Sequence, residues 1–117
     1  MANTYFSNAA VDDALTGLAN AGAWISLHNA SPGTTGANEI AGGSYGRVQT
    51  TWGAASGSSC AGSQVTLNVP AATTIGWFGV WSASSGGTYL EGGPLSAQET
   101  FGAAGTYELT PTLSGQG

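Results

Sequence analysis

In a chain of 117 residues, His28 is the only histidine, Arg47 the only Lys or Arg and Cys60 the only cysteine. Imidazole, guanidinium and thiol chemistry therefore each have a single place to occur. A Ser-His-Asp triad needs a histidine as general base held against a nucleophile. His28 lies in the strand-like run Trp24-Ile-Ser-Leu-His28, between Leu27 and Asn29, and no nucleophile stands out beside it, so it reads as a structural or surface ring. Cys60, in a Gly/Ser-rich stretch, lacks the local signature of a catalytic thiol. Glu39, Glu91, Glu99 and Glu108 fall in four separate segments, which is no pattern for paired-carboxylate hydrolysis. Gly42-Gly-Ser-Tyr-Gly46 resembles a phosphate loop only superficially, because the Lys and the strand-to-helix setting are missing. No calcium-loop run of alternating Asp and Asn occurs, and one cysteine builds no zinc set. The expectation is no catalytic residue, no metal site and no cofactor.

Arg47 is the most informative of the three. As the one strong cation among six acidic residues, it is expected to pair with one of them and tie a long loop back onto the sheet. The competing use is to receive a carboxylate from a partner.

That loop separates two strand-like runs, Trp24 to Asn29 and Arg47 to Trp52. It is too long for a tight hairpin and holds Ser31-Pro-Gly33, Gly36, Glu39 and Gly42-Gly43, its Pro, Gly and Asn positions suiting one backbone shape. The candidate partner-binding residues are Pro32, Gly33, Thr34, Thr35, Asn38, Glu39, Tyr45 and Arg47. Upstream, Ser7 to Asn20 has the only helical spacing, with Val11, Leu15 and Leu18 on one face and Gly22 as terminator. Downstream the period is two. Gly53 to Ser63 reads as an exposed turn region; Val65, Leu67 and Val69 read as a half-buried strand ended by Pro70. Ile75 to Ser82 is apolar on both faces and is the candidate central strand, with Gly76 and Gly79 leaving room for rings on its neighbours. A strand starting at Thr88 is expected to break at Gly92-Gly-Pro94, Ser96 to Gly105 to be a loop anchored by Phe101, and Thr106 to Thr110 to be the last clear strand. Short strands at this spacing predict a mainly β fold: an antiparallel sandwich or jelly-roll-like small barrel, with one short N-terminal helix, in a single domain over 1–117.

Composition narrows the partners. Only 6% of residues are charged, against roughly 25% in ordinary domains. A surface of Ser, Thr, Gly and Ala has little electrostatic defence against association and suits a subunit of an assembly. A net charge of −5 with one cation excludes nucleic-acid binding, which needs several phosphate-neutralising side chains, and excludes a polybasic membrane anchor. The N-terminal residues have neither the basic nor the apolar region of a secretory signal, and no window is long and apolar enough to span a membrane.

Several stretches resemble a family of small virion proteins of tailed double-stranded DNA phages. They are Asn8-Ala-Ala-Val11, Trp24-Ile-Ser-Leu-His28, Pro32-Gly-Thr-Thr-Gly-Ala-Asn-Glu39, Gly42-Gly-Ser-Tyr45, Arg47, Trp52-Gly-Ala-Ala-Ser-Gly57, Val69-Pro70, Trp81-Ser-Ala83 and Gly86-Gly-Thr88. The chain departs from the family's pattern at Gly46, where Ala is usual. Members are labelled tail fibre or structural proteins. The resemblance implies a virion component assembled in the host cytoplasm, and carries over no catalytic residue. Since no shaft repeat or coiled-coil heptad is present, the favoured placement is a capsid decoration protein. Its expected partners are the major capsid protein or other virion proteins, in a homo-oligomer such as a trimer at local three-folds. The alternative is a tail fibre or tail-tip receptor-binding module with aromatic sugar-stacking residues. A cell-wall hydrolase is disfavoured by the absent catalytic constellation.

Overall fold

A computed structural model describes residues 16–17, 20, 22–57 and 59–114. The helix expected over 7–20 lies, apart from three of these residues, outside them. The fold is mainly β and every strand pairing is antiparallel. Among the described residues eight strands follow in order: β1 Trp24–His28, β2 Val48–Gln49, β3 Ser59–Ala61, β4 Val65–Val69, β5 Thr73–Trp81, β6 Tyr89–Phe101, β7 Gly105–Leu109 and β8 Thr112–Ser114. They form a four-stranded sheet β2-β1-β5-β6 and two-stranded sheets β4-β7 and β3-β8.

The period-two pattern of β4 is read out directly: Val65, Leu67 and Val69 are buried, Thr66 and Asn68 exposed. One-sided burial of this kind pins the register, because a slip of one residue would expose all three apolar side chains. β1 and β5 are covered on both faces. Ile25 and Leu27 lie opposite Val80 and Phe78 and join Val65, Leu67, Val69, Ile75, Ile40 and Leu95 in one contiguous core. The other face of β1 and β5 carries Trp24, Ser26, His28, Trp77, Gly79 and Trp81. β5 is central, as its sequence implies, between β1 and β6.

Three local expectations are corrected. Residues 53–63 are not simply an exposed turn: Cys60 is 1% exposed and sits in β3, paired with β8. Gly92-Gly-Pro94 does not interrupt β6, since Gly79, Phe78 and Trp77 pair with Gly92, Gly93 and Pro94 in turn. The 96–105 loop is mostly strand as well, with Ile75, Thr74 and Thr73 opposite Glu99, Thr100 and Phe101. The irregularity is a jump in register: between Ile75 and Trp77, the β6 partner moves from Glu99 to Pro94. The extra β6 residues form a bulge, which keeps pairing on both sides of a Gly/Pro-rich break.

Candidate functional site

The loop between β1 and β2 folds back over the polar-aromatic face of the sheet, and its residues determine how. Gly33, Gly36, Gly42, Gly43 and Asn38 all have positive φ, a region where side chains other than Asn or Asp are strained. Asn38 is held there by its own side-chain amide, which donates to the Ser31 carbonyl at 3.0 Å. The amides of Gly36 and Ala37 both donate to the Pro32 carbonyl, and those of Asn29 and Ile40 bond to Asn38 and Leu27 across the loop base. Gly36 is buried against Trp81, where a Cβ would lie 2.5 Å from the indole ring. The loop is thus a folded cap, with Pro32 and Gly36 turned inward.

Beneath it His28 and Ser26 are wholly buried. The His28 Nδ1 lies 2.7 Å from the Ala37 carbonyl; a carbonyl only accepts, so Nδ1 carries the proton. Nε2 is then an acceptor, 2.7 Å from the Ser26 Oγ, which in turn accepts from the Trp81 indole N–H at 2.9 Å. Ser26 is the histidine partner that the sequence did not reveal. The signal was the i, i+2 spacing on one strand face. A hydroxyl donating to a neutral imidazole is the starting geometry of a nucleophile and its base, but here both groups are closed off from solvent and the imidazole is aimed at a loop carbonyl. The arrangement fastens the cap. Burial depresses the His28 pKa, and Arg47 adds to this, against the opposing pulls of the Ala37 bond and the Glu39 charge.

Gly42-Gly-Ser-Tyr-Gly46 has the Gly-x-Ser-x-Gly spacing of a nucleophile elbow, which the reading of the sequence overlooked. Ser44 is exposed in a turn that no helix follows, and both nitrogens of the one histidine are already engaged elsewhere.

Arg47 does tie the loop to the sheet, and its partner is Glu39. Nε and Nη2 donate to the two carboxylate oxygens at 3.0 and 2.9 Å, while Nη1 donates to the carbonyls of Ala83 and Gly86 at 3.0 and 2.9 Å. Two carbonyls from the β5–β6 turn and one carboxylate are a set only a planar guanidinium can satisfy together. Tyr45 donates to the same carboxylate at 2.7 Å and accepts from the Leu27 amide at 3.1 Å. Burial pushes the Glu39 pKa up, but the hydrogen bonds from Arg47 and Tyr45 outweigh it and hold the carboxyl below its usual range. The Tyr45 hydroxyl is pushed well above its ordinary value, by burial first and then by the Glu39 bond.

Of the eight candidate partner-binding residues, the fold therefore turns Glu39, Tyr45 and Arg47 into an internal network and Pro32 into a buried anchor. Gly33, Thr34, Thr35 and Asn38 remain exposed on the crest. Gly79 completes the site in a way the sequence half indicated: a Cβ there would lie 2.6 Å from Ser26 Oγ and 2.8 Å from His28 Nε2. The room left by Gly79 is for the Ser-His pair. Among the described residues Gly76 faces Gln98 alone, at 3.7 Å.

A buried polar latch thus lies under an uncharged, exposed crest. Comparison with known proteins gives it a setting. No curated protein matches the chain. A protein-family profile described as podophage GP4 fiber I protein gp80 matches residues 1–112. Because the match runs through nearly the whole chain, including the capped loop and every strand from β1 to β7, the protein belongs to this phage fibre family and is a structural component of the virion that associates with other virion proteins.

Proposed function

We propose that the protein is a component of the phage tail-fibre apparatus, docked to its neighbours through the crest of the β1–β2 loop. The observation that carries the placement is the fibre-family match over residues 1–112, which favours the tail over the capsid lattice. The match runs over a sequence in which no shaft repeat occurs, and the match carries the greater weight. Support for the crest comes from Gly33, Thr34 and Thr35, which are exposed and uncharged above a base locked by His28, Glu39 and Arg47. A preorganised loop loses little freedom on binding, so its contacts translate into affinity with small ordering losses.

Quantitative mass spectrometry of purified particles tests the placement: a fibre component is present in far fewer copies than the major capsid protein. A stoichiometry comparable to the capsid protein would overturn the tail placement and restore capsid decoration. For the crest, a Thr34→Lys, Thr35→Lys variant is expected to fold normally and to be depleted from particles. Normal incorporation would remove the crest from the docking surface.

A further inference from the structure

Beside the β6 edge of the four-stranded sheet, the core is incompletely covered. Phe78, Tyr107 and Leu109 pack against it yet stay partly exposed, and with Pro94, Leu95 and Pro111 they line a cleft of about 330 Å³. The strands that flank the cleft are β6 and β7. Among the described residues each is paired along one edge only, β6 with β5 and β7 with β4.

The two edges differ in what they offer. β6 has Pro94, which lacks an N–H, followed by the bulge that breaks its register, and both features blunt an edge against further pairing. β7 runs from Gly105 to Leu109 in unbroken register with β4 and contains no proline. Tyr107 and Leu109 lie opposite the buried Leu67 and Val65, so they point to the core side. A strand added to β7 would direct alternate side chains into the cleft beside them.

Charge decides what kind of strand. Glu99 and Glu108 are exposed on β6 and β7. The Tyr107 hydroxyl, raised first by burial, is raised further by the charge of Glu99. The chain's single Lys or Arg is Arg47, whose side chain is 8% exposed and committed to Glu39. A second copy of the chain therefore has no free cationic side chain to bring, and its own carboxylates would repel these.

We propose that the cleft between β6 and β7 receives an extended segment of a different virion protein, apolar at alternate positions and bearing Lys or Arg, which adds as a strand to β7. This rests on the virion assignment above and goes beyond the loop crest, which lies on a separate surface.

The test uses assembled particles carrying a photoreactive phenylalanine analogue at Thr110 or, separately, at Ser96, both exposed at the cleft. Irradiation is expected to link the chain to another virion protein within a segment containing Lys or Arg. The Glu99→Lys, Glu108→Lys double variant, altered only at exposed positions, is expected to lower the cross-link yield by about tenfold. Cross-links confined to second copies of the chain, a linked segment without Lys or Arg, a yield insensitive to the charge reversal, or no cross-link from either position in particles that contain the chain would each overturn the proposal. Absence of the unsubstituted chain from particles would instead refute the virion reading, and the cleft proposal with it.

Discussion

The guanidinium of Arg47 lies over the indole of Trp81, with its central carbon 3.7 Å from the ring centroid. Trp81 meets Tyr89 edge-on, at 5.3 Å between centroids, and donates to Ser26. The one cation thus joins the Glu39 pair on the loop to the Ser26–His28 pair on β1 through a single ring. Loop, turn and sheet share one network.

Removing Arg47 leaves Glu39 with the Tyr45 hydroxyl alone as donor and takes the guanidinium away from two turn carbonyls. Arg47→Ala is expected to destabilise the fold by about 3 kcal/mol, as when one partner of a largely buried pair is deleted. Arg47→Lys should recover only part of the loss, because an ammonium cannot replace the planar fork or its stacking on Trp81. Urea denaturation of both variants checks this; equal stability of the Arg47→Lys variant and wild type would show that the bidentate geometry is irrelevant.

Gly79 and Gly76 are three residues apart in β5 and are expected to respond oppositely. Gly79→Ala drives a methyl into Ser26 and His28 and should cost about 1–3 kcal/mol. Gly76→Ala meets nothing closer than 3.7 Å and should be neutral or stabilising by about 0.5 kcal/mol. Thermal unfolding of the two variants compares them directly.

The His28 latch makes stability depend on pH. The folded pKa lies below the ordinary 6.5, so the unfolded chain binds the proton more readily. The contribution of His28 is complete above pH 6.5 and is lost as pH falls from there through the folded pKa, with a slope of at most about 1.4 kcal/mol per pH unit. Glu91 opposes this in part: burial raises its pKa above 4.5, so folding favours its neutral form and gains as pH falls toward that value. Glu39, with its lowered pKa, adds a further loss only below 4.5. Chemical denaturation in a Glu91→Gln background is expected to show a steeper fall below pH 6.5 than wild type, and His28→Gln should abolish the part of that fall above pH 4.5 while lowering stability at pH 7.

Cys60 is buried, its thiol donates to the Gly53 carbonyl at 3.1 Å, and burial pushes its pKa up. Thiolate attack is suppressed on both counts. A thiol-reactive disulfide reagent is expected to modify the native protein only at the rate of opening and the denatured protein at once; rapid labelling of native protein would place Cys60 at the surface.

The strands that read clearly in the sequence are those whose burial is decided locally. β4 alternates, β5 is apolar on both faces, and the Pro, Gly and Asn of residues 31–43 mark a loop held in one backbone shape; all three follow from i, i+2 spacing and from φ preferences of single residues. The pairing of Arg47 with an acid was also legible, since a lone cation among six carboxylates is rarely left alone. Which carboxylate was not, because Glu39 differs from Glu91, Glu99 and Glu108 only in what the folded loop brings beside it.

What the amino-acid sequence determined by itself was the mainly β class, the alternation of β4, the central place of β5, and a charge balance that leaves one cation to be shared. Tertiary structure decided the rest. Ser26 and Trp81 stand 55 positions apart and meet only because β1 pairs with β5. Cys60 is inside because β3 finds β8 near the end of the chain. β6 survives Pro94 because its bulge resumes pairing at Glu99. Local preferences act over a few residues, whereas these contacts depend on which distant strands bury each other's apolar faces, and the capped loop of this virion protein is assembled from such contacts.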